Sequence, residues 1–466
     1  VAQGTRFALY FATAIVLARL LSPSDFGVFG VAFAVTGFLE IAKDGGLVVP
    51  VVQSASLSQA QLSALFRLNL GLGAALTLVS WAVAPAVAAW YGEPRLTSLI
   101  RTLAVVFLVG GASTQHRALL RRQARFVALG ACETTALAAG CAAAVFAAMR
   151  GAGAWSLVWM YVTLETAQSA LTVAASRWRP DLRPRGDAAV APLLRFGGMM
   201  IAFDFLGYVN LKLDNLIVAW YLGPAALGYY DKAYQFLLLP VNQIGMPISS
   251  VAHTALSRSR AALDRYRAAF DRLLLLNAGL GMPVTAFLAA NTSAVVALVL
   301  GEKWAPSVPI FHALAPAALL MTVTASVGWI FLSLGRAGRQ LRWGVLLSAA
   351  TLAAYFVGVR WGAVGVAAGV SAVRIALFLP TLVYTCAGSP VGVGQILRVV
   401  SLPALASAAA MAASLAADRW LGPGAWALPR NAALFCAAYA LVWMAAPSGR
   451  AALAGLPLFA KIPVER

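Results

Sequence analysis

Residues 273–300 read LLLLNAGLGMPVTAFLAANTSAVVALVL, twenty-eight positions without a charged side chain. A bilayer span needs about 20 mostly apolar residues, and in hydrocarbon the backbone must satisfy its own hydrogen bonds, as helices and closed barrels do. Barrel strands would show short alternating segments, and this run does not alternate. It is therefore read as a membrane helix. The run at 345–359 is likewise uncharged, and those at 97–111, 127–149 and 397–417 are apolar with a single charged residue each. Of the 466 residues, 61% are hydrophobic and 11% charged, whereas a soluble chain has about a quarter charged. The fold class expected is an all-α integral membrane protein.

Fourteen spans are expected, near 4–21, 26–50, 62–90, 97–115, 127–149, 153–175, 195–222, 225–252, 273–299, 306–335, 343–360, 362–384, 397–417 and 430–447. The formal charge of +19 sits mostly in alternate loops. One set carries Arg117, Arg121, Arg122 and Arg125, then Arg177, Arg179, Arg183, Arg185 and Arg195, then Arg258, Arg260, Arg265, Arg267 and Arg272. It continues with Arg336, Arg339, Arg342, Arg398, Arg450, Lys461 and Arg466, while the opposite set holds Arg95, Arg150, Lys303, Arg360, Arg419 and Arg430. The positive-inside rule places the first set and both termini in the cytoplasm. This asymmetry accounts for the basic charge without nucleic acid. Trp81, Trp90, Trp155, Trp220, Trp304, Trp361, Trp420 and Trp426 fall near the opposite ends, where interfacial anchors belong.

No loop exceeds about twenty residues, which leaves no room for a soluble catalytic domain, and no Walker lysine loop is present. Cys132, Cys141, Cys386 and Cys436 lie inside apolar runs without metal-type spacing, and His116, His253 and His312 do not cluster. No metal, cofactor or enzymatic activity is expected.

Two stretches match at a constant offset of 201: LARLLSPSDFGVFGVA (17–32) and VAWYLGPAALGYYDKA (218–233). Pro23 aligns with Pro224 and Gly27 with Gly228, so each copy reads as a helix that ends, turns through Pro-x-x-x-Gly and restarts. Six spans separate the copies. The expected architecture is two six-helix lobes in parallel pseudo-repeat plus two C-terminal helices. Its domains are an N-terminal lobe at 1–175, a basic cytoplasmic linker at 176–194, a C-terminal lobe at 195–384, and two extra helices with a tail at 385–466. Parallel repeats hold substrate between lobes near the midplane.

Charges inside spans cost about 2.5–3.5 kcal/mol each and usually face a cavity. They are Arg6, Glu40, Lys43, Asp44, Arg101, Glu133, Glu165, Asp204, Lys212, Asp214, Asp231, Lys232 and Arg374. For many of these, a local ion pair or snorkelling near a helix end is the structural alternative. The set is mixed in sign, which suits an anionic ligand better than the small cations of a multidrug antiporter.

VLARLLSPSDFG (16–27), RALLRRQARFVALGACETTA (117–136), LRFGG (194–198), LDNLIVAWYLGPAALGYYDKAYQFLLLP (213–240) and GEKW (301–304) together resemble bacterial polysaccharide transporters. The family is the polysaccharide transporter family of the multidrug/oligosaccharidyl-lipid/polysaccharide exporter superfamily, of the colanic-acid, O-antigen and exopolysaccharide type. The resemblance runs from about residue 10 to 400. It implies an inner-membrane flippase that moves an undecaprenyl-diphosphate-linked oligosaccharide by alternating access, coupled to an ion gradient. The partners implied are that lipid-linked sugar, membrane lipids and polysaccharide assembly proteins. A multidrug antiporter of the same superfamily and, further off, a polysaccharide polymerase or ligase are the alternatives. With a diphosphate as head group, Arg6, Lys43, Arg101, Lys212 and Arg374 become candidate substrate-binding residues, and Glu133, Asp204 and Asp44 candidate ion-coupling carboxylates. GEKW and LGYYDKAY also have a purely structural reading as turn formers with aromatic anchors.

Relatives usually begin with a basic, Trp-containing segment. Here the apolar run before Arg19 covers only Phe7–Ala18, so some fifteen residues are expected to precede Val1 in the cell.

Overall fold

The computed structural model describes residues 2–43, 48–54, 57–181, 191–422, 426–447 and 449–450. These residues are helical throughout, apart from turns, and contain no strand. Contacts divide the chain into two compact units, 1–231 and 232–466.

The first unit contains α1 (Ala2–Leu20), α2 (Pro23–Lys43), α3 (Val48–Gln53), α4 (Gln59–Tyr91), α5 (Arg95–Arg122), α6 (Phe126–Met149), α7 (Trp155–Ser176) and the first part of α8 (Ala191–Arg258). Gly223 (φ 84°, ψ 170°) divides α8 into two limbs, a conformation only glycine adopts without strain. Helix ends follow local chemistry. Ser58 and Gln61 form a reciprocal capping box at the start of α4, and Gly92 ends that helix in the left-handed region.

Inside this unit helices approach through small residues, as expected where lipid removes the hydrophobic drive between helices. A methyl group at Gly73 would overlap the Phe107 carbonyl oxygen. Thr77 Oγ1 donates across to Ala104 O at 2.9 Å. Leu76, Ala104 and Phe107 fill the space between α4 and α5.

The second unit contains the rest of α8, α9 (Leu263–Ala290), α10 (Thr292–Val299), α11 (Ser307–Ser333), α12 (Ala337–Gly358), α13 (Gly362–Ala376), α14 (Phe378–Cys386), α15 (Val393–Leu421) and α16 (Ala427–Ala445). Its core is built from Tyr266, Phe270, Leu274, Ile330, Leu382 and Ile396. Arg339 donates to Tyr384 O and Ala387 O at 2.6 and 2.8 Å, satisfying carbonyls at the α14 C-terminus.

Nine pieces of the described chain combine spanning length with an apolar composition. One of them, 337–386, holds both α12 and the α13–α14 pair. With α1, α7 and both limbs of α8, whose polar content is higher, the crossings reach the fourteen expected.

Some boundaries differ from the sequence reading. Residues 273–299 form two helices parted at Asn291, whose side chain bonds Phe287 O, Ser414 and Asn431. Residues 362–384 part at Leu377. Within the expected span 26–50 the structure describes α2 as far as Lys43 and α3 from Val48. Trp304, expected as an interfacial anchor, is fully buried. Trp90, Trp361, Trp420 and Trp426 are exposed as anchors require.

Turns after α1, α4, α6, the first limb of α8, α10 and α12 occupy one to seven residues each. Residues 177–181, which follow α7, lie outside any helix.

Candidate functional site

The interior of the first unit is charged. Lys43, only 4% exposed at the end of α2, donates to Glu40 Oε1 at 3.0 Å and lies 3.6 Å from Glu165 Oε2 of α7. Tyr161, one turn before Glu165, donates to Glu40 Oε1 at 2.5 Å. Gly110 of α5 leaves room for the Lys43 stem, since a methyl group there would come within 2.6 Å of Cδ. Lys43 therefore lies between two carboxylates, Glu40 of its own helix and Glu165 of α7.

Arg6 of α1 pairs with Glu133 of α6, both partly buried. Arg101 is exposed on α5 and lies against Trp81, whose Nε1 donates to Arg101 O at 2.9 Å. Lys212 is half-buried in the first limb of α8. Arg374 is half-buried in α13, and its Nε has no protein acceptor among the described residues. Asp44 lies outside the described residues, as does the side chain of Asp204. Of the eight residues selected from sequence, the structure joins Arg6 with Glu133. Glu40, Tyr161 and Glu165, which complete the Lys43 cluster, were outside that set. Their signal was present in α7, where Tyr161, Glu165, Ser169, Thr172 and Ser176 recur at helical spacing.

The repeated motifs have structural work. Ser22 and Asp25 cap α2 reciprocally, with Asp25 N donating to Ser22 Oγ at 3.2 Å and Ser22 N to Asp25 Oδ2 at 3.0 Å. Asp25 Oδ1 also accepts from Ala154 N at 3.1 Å. Pro23 and Pro224 both start helical segments, where the missing N–H costs nothing. A methyl group at Gly27 would overlap the Pro224 carbonyl oxygen, and one at Gly228 would overlap that of Pro23. The two copies thus meet each other reciprocally, backbone to backbone. Beyond them, Tyr230 donates to Asp214 Oδ2, and Asn215 donates to Asp231 Oδ1, both at 3.1 Å. In GEKW, Gly301 has φ 97° and Ser307 Oγ donates to Trp304 O at 2.7 Å.

The family described as "Polysaccharide biosynthesis protein" matches residues 16–309. The chain belongs to that family. Among its relatives, the lipopolysaccharide biosynthesis protein WzxC of Escherichia coli (strain K12) is 28% identical over 363 residues, 77% of this chain and 74% of the relative. The teichuronic acid biosynthesis protein TuaB of Bacillus subtilis (strain 168) is 27% identical over 322 residues, covering 67% and 65%. The lipid II flippase MurJ, solved in an inward closed conformation, superposes with a TM-score of 0.77 at 12% identity, over 95% of this chain and 96% of MurJ. At that identity the likeness establishes a shared fold. This member of the polysaccharide biosynthesis family is a multi-pass membrane protein of MurJ-like architecture.

Proposed function

We propose that the protein is a flippase of the bacterial inner membrane that moves an undecaprenyl-diphosphate-linked oligosaccharide from the cytoplasmic to the periplasmic leaflet by alternating access. The observation that carries this reading is the buried Lys43 cluster in a polysaccharide biosynthesis chain of MurJ-like fold. WzxC and TuaB are named for sugar-polymer assembly, and MurJ for flipping a lipid-linked sugar. Translocation needs no covalent step. The lobes at 1–175 and 195–384, and the cytoplasmic placement of both termini and the Arg-rich loops, belong to this reading.

Arg6, Lys43, Arg101, Lys212 and Arg374 are the proposed partners of the diphosphate. At an effective dielectric of about 20, a cation 4 Å from a phosphate charge gains roughly 4 kcal/mol, enough to offset its own insertion cost. Ion coupling falls to intramembrane carboxylates, with Glu133, Asp204 and Asp44 as proposed members. Glu133 would exchange its Arg6 partner for a cation or proton. Polysaccharide assembly proteins are proposed partners in the membrane.

Deletion of the protein in its host tests the reading. Lipid-linked oligosaccharide should accumulate on the cytoplasmic leaflet and surface polymer should fall. Normal polymer with no accumulated lipid-linked sugar would overturn it.

A further inference from the structure

The polar positions of α7 continue beyond Glu165 towards the end of the helix that carries Arg177 and Arg179. Ser169, Thr172 and Ser176 follow at steps of four, three and four residues, all buried. Each step is about one turn, roughly 4.5–6 Å along the axis, a gap that one water molecule spans. The facing helix α5 matches them. Ser169 Oγ donates to Ser113 Oγ at 2.9 Å, and His116 Nδ1 lies 2.6 Å from Ser176 Oγ. Ser176 Oγ also receives Trp178 N at 3.4 Å, so the series reaches the connection after α7. Phe66 and Trp178 pack edge-on to the His116 ring. Beside His116, the Gln115 amide is fully buried without a protein partner among the described residues. The stripe therefore keeps hydrogen-bonding capacity for water in an otherwise apolar helix pair.

Glu165 heads this series. It is 9% exposed, and its Oε2 makes no hydrogen bond, the Lys43 ammonium being 3.6 Å away. The titratable and charged groups around it are Glu40 and Lys43 of α2, Tyr161 of α7, and Tyr208 of α8. The helices packed on α7 add His116 and Arg117 of α5, with Cys132, Cys141 and the Arg6-bound Glu133 of α6. An alkali cation at Glu165 would compete for the place Lys43 already holds. A proton would not, because it needs only the Glu165 Oε2 that makes no hydrogen bond. Ser, Thr and His in sequence are groups that pass protons, and intramembrane carboxylate–histidine series mark proton routes in transporters.

We propose that Glu165 is a proton-carrying carboxylate, and that the polar face shared by α5 and α7 connects it to water at the Arg-rich end of the first unit. The proton is then the coupling ion. One proton passes between bulk water and the Glu165 carboxylate, through His116 and the hydroxyls by exchange of O–H and N–H hydrogens, with no other bond made or broken. Protonation removes the Glu165 anion from beside Lys43 and so weakens the hold of α7 on an ammonium that is proposed to meet an anionic head group. This last link rests on the flippase reading; the proton site does not.

The full chain, reconstituted in liposomes with undecaprenyl diphosphate and a trapped pH dye, tests the proposal under an imposed pH gradient. The wild-type protein should carry protons, and Glu165→Gln should cut the flux about tenfold or more, as expected when the acid–base group itself is lost. Ser169→Val and His116→Phe should each slow it severalfold, Ser169→Thr should restore it, and exposed Asp264→Asn should leave it unchanged. If Glu165→Gln does not fold, Glu165→Asp serves, with slowed flux expected. Proton flux that persists in Glu165→Gln, or is indifferent to both His116→Phe and Ser169→Val, overturns the proposal, as does flux driven by sodium alone. Flux that depends on Glu165 but ignores undecaprenyl diphosphate leaves the proton site standing and removes the flippase reading.

Discussion

Arg6 and Glu133 neutralise each other across α1 and α6, and the pair can be separated from any transport role by substitution. Glu133→Gln alone leaves a partly buried guanidinium without its counter-charge, which should lower stability by up to about 3 kcal/mol. The double variant Arg6→Gln/Glu133→Gln should recover the wild-type melting temperature in detergent. If Arg6 also binds the diphosphate, that well-folded double variant still exports poorly; normal polymer output would confine the pair to structure. A second residue-scale outcome concerns pH. Glu93, in the turn before α5, accepts from Arg95 Nε at 2.8 Å and Nη2 at 2.9 Å, and these side-chain bonds hold its carboxyl below the usual range. A depressed carboxylate stabilises the fold above its unfolded pKa, near 4.3, and that contribution is lost as pH falls through the lower folded value. The pair is largely solvated, so it contributes under about 1 kcal/mol. Glu93→Gln should therefore lower the melting temperature by about 1 °C at pH 7 and not at pH 3. An equal loss at both would remove the ionic bond from the account. Lys43 was legible as a costly charge in an apolar run, but its link to Glu165, 122 positions away, was not. Hydrophobic periodicity specifies which face of a helix is polar and leaves open which other helix it meets.

At the scale of elements, the turns at Pro23 and Pro224 were legible because Pro and Gly act locally on the backbone. That the two turns touch each other was not, since nothing in either copy names its neighbour. The contact makes a graded prediction. Gly27→Ala and Gly228→Ala would each drive a methyl group into a backbone carbonyl that cannot rotate away, whereas Gly30→Ala meets only the Leu227 side chain at 3.2 Å. Polymer output should fall about tenfold for the first two, matching overpacking costs of 1–3 kcal/mol, and stay near wild type for the third. Equal output from all three, at equal protein levels, would mean that this contact opens without consequence. The breaks at Asn291 and Leu377 were hidden for a different reason. Both lie inside long, mostly apolar stretches, and at Asn291 the deciding interactions come from Ser414 and Asn431 on distant helices. Asn291→Ala should cost about 1–3 kcal/mol by leaving those buried partners unsatisfied, read as a lower melting temperature.

For the whole molecule, composition and run length were sufficient to read an all-helical membrane protein with fourteen crossings, because hydrocarbon permits so few alternatives. The arrangement of charges was sufficient for an orientation to test. A single cysteine at position 121 or 262, in a background without the native four, should react with a membrane-permeant maleimide and resist an impermeant one added to intact cells. Labelling by the impermeant reagent would invert the topology. The brevity of the turns has its own consequence for what each side of the membrane offers a protease. Proteases bind an extended stretch of several residues, and turns of one to seven residues between rigid helices supply little of that. Arg95 and Arg150 are thus potential tryptic sites without an accessible backbone. The stretch that follows α7 carries arginines at 177, 179, 183 and 185, and its described part, residues 177–181, is non-helical. Trypsin outside intact spheroplasts should leave the chain whole, while trypsin applied to inverted vesicles should trim the basic tail at Arg450 and Lys461 and cut after α7 to give two membrane-embedded fragments.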